Sequence, residues 1–184
     1  SERVTPGHWI LALGLVVCAF WMVGAHNRIV ALRAAIGEAW AQVDALLARR
    51  EAALAALLQL LWEPWPGGRP MLDALSAARQ QVQTTAQAVR QRPTRAALVA
   101  SLAAAENALG ATIARLLNQI DGEPGLGTRD EVAAQLLVLF ELGPQLLEAR
   151  QRFNQSSAAY NAAIHQFPTN LLAPVFRFEP AGSF

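Results

Sequence analysis

The chain has 184 residues, enough for one domain that buries its own core plus an added segment. Its net charge is +1, and the 15 basic side chains, all arginine, form no basic stripe, which argues against nucleic acid as a partner. A single cysteine, Cys18, leaves neither an internal disulfide nor a cysteine-based metal site.

Residues 9–25 carry no charge. With Gly7, His8, His26 and Asn27 the run reaches about 20 residues, enough to span roughly 30 Å of hydrocarbon. Trp9 and Trp21 fall near its ends, where indoles favour the interface. The run therefore predicts an N-terminal transmembrane helix whose first partner is the lipid bilayer. A cleaved signal peptide is the rival reading, because Val23, Gly24 and Ala25 end on a small residue. Against it, residues 1–6 carry no net positive charge, and the helical pattern continues past Ala25 without a turn residue. A buried core helix is a third reading, disfavoured by polar flanks. Arg3 precedes the run while Arg28 and Arg33 follow it, an asymmetry that places the rest of the chain in the cytoplasm.

Beyond Asn27 the apolar residues step by three and four: Ile29, Leu32, Ile36, Trp40, Val43, Leu47, then Leu54, Leu57, Leu58 and Leu61. This predicts one near-continuous helix from the membrane to Trp62. Three prolines and two glycines in residues 63–70 end it. A second helix is expected over about 71–92 with Leu72, Leu75, Val82 and Val89 inward. Pro93 breaks the pattern, and Thr94 is the expected N-cap of a third helix over about 95–119. Its apolar positions are Leu98, Leu102, Leu109, Ile113, Leu116 and Leu117. After a glycine-rich link, Thr128 or Asp130 starts a fourth helix reaching about 166. Gly143 and Pro144 fall inside it and predict a kink or a division. Phe167 and Pro168 end it. No strand pattern competes, so the fold class is all-α: a long-helix antiparallel bundle of about four helices with an N-terminal transmembrane helix. The expected divisions are 1–27 for the anchor, 28–168 for the bundle and 169–184 for an apolar tail packed on the bundle or resting on lipid.

Phe153 and Asn154 recur seven residues on as Tyr160 and Asn161, and Phe167 and Pro168 follow after another seven. Seven residues are two helical turns, so the three aromatics share one face with the asparagines beside them. With these motifs the sequence resembles the LemA family of bacterial membrane proteins. The resemblance is carried by His26 to Arg33, by Ala39, Trp40, Val43 and Asp44, and by the pair Arg49 and Arg50. It continues through Ala105, Glu106 and Asn107, then Ala149, Arg150, Phe153 and Asn154, and finally Tyr160, Asn161, Phe167 and Pro168. The sequence departs from the family pattern after the arginine pair, after helix three, and at Gly143 and Pro144. The resemblance implies long packed helices on a single-pass anchor in the bacterial inner membrane, and implies no activity.

Catalytic and metal constellations are missing from the sequence pattern. His8, His26 and His165 are the three histidines, and none has a second ligand at helical spacing. No phosphate loop, nucleophile elbow or paired Glu-x-x-His motif occurs. No catalytic residue, cofactor or metal is therefore expected. Arg50 continues the stripe of Ile29, Ile36 and Val43, so it points coreward and needs an acidic partner; Asp44, Glu106 and Glu148 are the candidates. Asn154, Tyr160 and Asn161 are expected to form a polar ladder between helices. Trp62 and Trp65 flank the first loop, as contact residues or as packing. Arg49, Arg50, Glu106, Arg150, Asn154, Tyr160 and Asn161 are thus structural or interaction candidates. The reading is a non-enzymatic scaffold that engages another membrane-associated protein. The alternatives are a ligand- or metal-binding sensor near Arg50, Glu106 and Asn161, and an enzyme with an unrecognised site.

Overall fold

The computed structural model describes residues 5–166, 170, 174–176 and 178–184. Helix α1 spans Pro6–Trp62 and begins on Thr5 in extended conformation, with Pro6 at a position whose missing N–H costs nothing. Its 57 residues make a rod of about 85 Å. Within α1 no side chain before Ile29 is buried, whereas Ile29, Ile36, Trp40, Val43, Leu47, Leu54, Leu57 and Leu61 are. The first third of the rod therefore projects beyond the core as an apolar, uncovered segment.

A single 3-10 turn, Pro66–Gly68, leads into α2, Arg69–Gln91. Trp65 is buried with its ring lying over Gly68, where a Cβ would come within 2.1 Å of the indole. Trp62 stays partly exposed and carries the Arg69 guanidinium 5.1 Å above its ring. The loop tryptophans are thus divided, one to packing and one to the surface.

Helix α3 spans Ala96–Asp121, and α4 spans Asp130–His165. The cap of α3 is Arg95, not Thr94, and no side chain closes it. The cap of α4 is Arg129, between the two candidates the sequence offered. Leu117 is exposed, because Thr112, Leu116 and Ile120 take the inward stripe of α3. Helix α4 runs through Pro144 as one helix. Proline removes the bond that would reach the Phe140 carbonyl, but both residues face solvent, where water can satisfy that oxygen. The expected helix end at Phe167 and Pro168 lies outside the described residues.

The helices pack as two pairs, α1 against α4 and α2 against α3, joined mainly along α1 and α2. Each helix reverses the one before it, so α1 and α3 run one way and α2 and α4 the other. Asp44 opposes Arg90 and Glu51 opposes Arg79, the falling register of antiparallel neighbours. By length and hydropathy α3 and α4 also reach the threshold of a membrane span. Their inward faces build the bundle core, while none of the most apolar window of α1 is buried.

Candidate functional site

Among the described residues, Asn154 and Asn161 of α4 form no ladder to another helix. They hold the C-terminal segment. Asn161 donates from Nδ2 to the Ala181 carbonyl at 2.8 Å and accepts the Ala181 N–H at 2.7 Å. Asn154 repeats this with Phe184, at 3.1 Å and 2.7 Å. A carboxamide presents a donor and an acceptor side by side, as a peptide group does, and so pairs with backbone as a neighbouring strand would. The spacing fits: seven helical residues rise about 10.5 Å, and three extended residues span about 10 Å. Segment 181–184 therefore runs antiparallel to α4, with one rung per two turns.

Between the rungs, Gly182 lies against the start of α3. A Cβ there would meet Ala96 Cα at 2.8 Å and its carbonyl oxygen at 3.0 Å. Phe184 closes the seat. Its ring stacks on Trp40 of α1 at 6.4 Å and 9°, and meets the edge of Phe153 at 5.1 Å. The Arg150 guanidinium sits 5.3 Å over the same ring. Upstream, Phe176 and Phe178 pack on His26 at 4.6 and 5.7 Å. The segment thus touches α1, α3 and α4 and is part of the core, through Phe178 and Ala181.

Six of the seven candidates divide among three places. Arg150, Asn154 and Asn161 converge on the segment 181–184. Arg50 and Glu106 meet in the middle of the bundle, where one prong of the ion pair measures 3.0 Å and the side chains are almost wholly buried. Tyr160 turns elsewhere, into an open cavity of about 600 Å³ at the end where α1 enters the bundle, lined also by Arg33, Arg92, Arg95 and Glu179. Burial raises the Tyr160 pKa, nearby Arg33 opposes this, and Glu179 adds to it. Arg49 is exposed and forms no ion pair among the described residues. Phe167, the expected third member of the aromatic face, lies outside them.

Of the acidic candidates for Arg50, Asp44 pairs instead with Arg90 at 2.8 Å, and Glu148 with Arg152 within α4 at 2.5 Å. Glu51 accepts from Arg79 at 2.6 Å, yet burial raises its pKa by more than the two nearby arginines lower it. The cavity beside Arg50, about 410 Å³, is lined by charges that already have partners. Among the described residues, no group of three His, Cys, Asp or Glu side chains is placed to hold a metal ion. Sequence reasoning missed Gly182, Phe184, Arg33, Arg92 and Arg95. The first two sit in extended chain without a period to read, and the arginines come together only when α1 and the α2–α3 link meet.

The family comparison covers most of this arrangement, though not His26 and Arg33. The LemA family model matches residues 39–184, from the middle of the first buried stripe to the seat of Phe184. The stretch from His26 to Arg33 and the apolar segment before it precede the match. No curated protein and no solved structure matches the chain. With four fifths of its residues matched, the chain belongs to the LemA family.

Proposed function

We propose that the protein is a single-pass membrane-anchored helical scaffold that binds another membrane-associated protein and performs no chemistry itself. The observation that carries this reading is an apolar stripe on the outer face of α4. Leu137, Phe140 and Leu147 are 56%, 80% and 57% exposed. With Pro144 they fall within an arc of about 80° on the helix. The buried residues Leu142, Leu146, Ala149 and Phe153 occupy the other side. A clustered apolar stripe on a soluble surface marks a contact site more often than isolated exposed side chains do.

Its position favours protein over lipid. Trp40 packs on Phe153, so the antiparallel register sets Phe140 beside α1 near residue 53. That point lies about 40 Å along the rod from Asn27, well beyond the headgroup layer of a membrane spanned by the apolar segment. The uncovered apolar segment of α1 supports the anchor, and the arginines after it support a cytoplasmic bundle in a bacterial inner membrane.

The test is purification from native membranes in mild detergent, comparing the parent with a Leu137→Glu/Phe140→Glu variant of unchanged thermal stability. A partner recovered by the parent and lost with the variant supports the reading. No specific partner, or the same partners with both, refutes it. A topology reporter inserted within residues 122–127 leaves the C-terminal seat intact and is expected to read as cytoplasmic.

A further inference from the structure

The cavity around Tyr160 lies outside the scaffold reading. Four parts of the chain build it: Arg33 comes from α1, Arg92 and Arg95 from the short link between α2 and α3, Tyr160 from α4, and Glu179 from the C-terminal segment. None of the three arginines forms an ion pair among the described residues. Tyr160 is only 1% exposed, and its hydroxyl has no hydrogen-bond partner among the described residues, although it lines the cavity. The hydroxyl is not one of the buried polar atoms left without a partner, so it opens on the cavity, where solvent or a ligand can meet it. Helix α3 begins at the same place without a side-chain cap; Leu98 N–H already donates to the Arg95 carbonyl, which leaves the amides of Ala96 and Ala97 to an incoming acceptor.

We propose that this cavity binds a phosphate group, carried by a membrane lipid headgroup or free in solution. Guanidinium groups match phosphate oxygens in paired hydrogen bonds, and a tyrosine that keeps its proton donates to a third oxygen. A tyrosine holds its proton at neutral pH, and burial raises the Tyr160 pKa further. Among the described residues, Glu179 is the one acid in the lining, so three of their positive charges face one negative charge before any ligand arrives. The location suits a headgroup: Arg33 stands six residues past Asn27, a rise of about 9 Å, within reach of lipid phosphates.

Tyr160 is the only tyrosine in the chain, so ring-labelled tyrosine reports the site as a single NMR environment. The full chain is held in maltoside detergent, which contains no phosphate. It is titrated with inorganic phosphate in one arm and with phosphatidylglycerol mixed micelles in the other, with chloride as the ionic-strength control. A saturable shift of the Tyr160 signal is expected in at least one arm. A shift in the lipid arm alone assigns a headgroup, and a shift in the inorganic arm alone assigns free phosphate. Arg33→Gln/Arg95→Gln is expected to weaken binding at least about tenfold, through loss of two charge-assisted contacts. Glu179→Gln is expected to tighten it, an effect that damage to the fold does not imitate. Absence of a saturable shift in both arms overturns the proposal. So does a shift equalled by chloride, one that survives the double arginine variant, or no tightening with Glu179→Gln.

Discussion

Arg50 and Glu106 face each other as a two-pronged ion pair between α1 and α3, the partners of different helix pairs. Around them Leu47, Leu54, Leu102 and Leu109 are buried, so both charges sit at the level of the core. Arg79 with Glu51 and Arg90 with Asp44 also run from α1 across to the second pair. Among the described residues, every ion pair between helices crosses this one seam.

Removing Glu106 should strand the Arg50 charge. Glu106→Leu alone is expected to cost about 3–5 kcal/mol in denaturant unfolding, whereas combining it with Arg50→Met should restore most of that. Additive losses in this double-mutant cycle would show that the two side chains do not act as a pair.

The seat of residues 181–184 should respond to small changes on either side. Asn161→Ala and Asn154→Ala each delete two hydrogen bonds, a local loss of about 1–3 kcal/mol. Gly182→Ala should release the same segment by steric contact with Ala96. Amide hydrogen exchange at Ala181 and Phe184 should accelerate at least about tenfold in all three, while the α2 core amides keep their protection. Unchanged exchange at both amides in the asparagine variants would falsify the rungs.

Glu51 should behave against the usual expectation for an ion-paired carboxylate. Its folded-state pKa is raised, chiefly by burial, above the ordinary carboxylate value. Its favourable contribution is therefore present below that ordinary value and lost as pH rises through the raised one. Glu51→Gln should then gain on the parent between pH 4 and pH 7, by less than about 1 kcal/mol. Thermal unfolding at the two pH values measures this; a variant that loses ground toward pH 7 contradicts it.

Pro144 interrupts the hydrogen-bond ladder of α4 on an exposed face with open space beside Gly143. Pro144→Ala restores one bond and should raise stability by about 1–3 kcal/mol. A lower melting temperature for this variant would mean that the proline geometry is required for packing.

The helices were legible because each buries one stripe and the period of that stripe is written in the residues. Ile29 through Leu61 and Leu72 through Val89 needed nothing more. Arg50 was legible as a coreward charge, but its partner was not, since Asp44 and Glu148 are satisfied by neighbours that only the packed structure brings near. The asparagine repeat was visible and its target was misread. Its rungs go to main-chain atoms of an extended segment, which has no side-chain pattern to announce it. Thr94 looked like a cap by composition, but the turn after Pro93 carries the chain one residue further, so Arg95 takes the cap position.

The unbroken run of α1 makes the apolar segment and the bundle parts of one screw. Each inserted residue between Ala25 and Ile29 turns everything beyond it by about 100° and advances it about 1.5 Å. One added alanine would therefore swing the Phe140 face to another compass bearing with little change in height, and seven would bring it nearly back. Whatever meets that face depends on angular phase, so a series of insertions should show partner recovery that returns with the helical repeat.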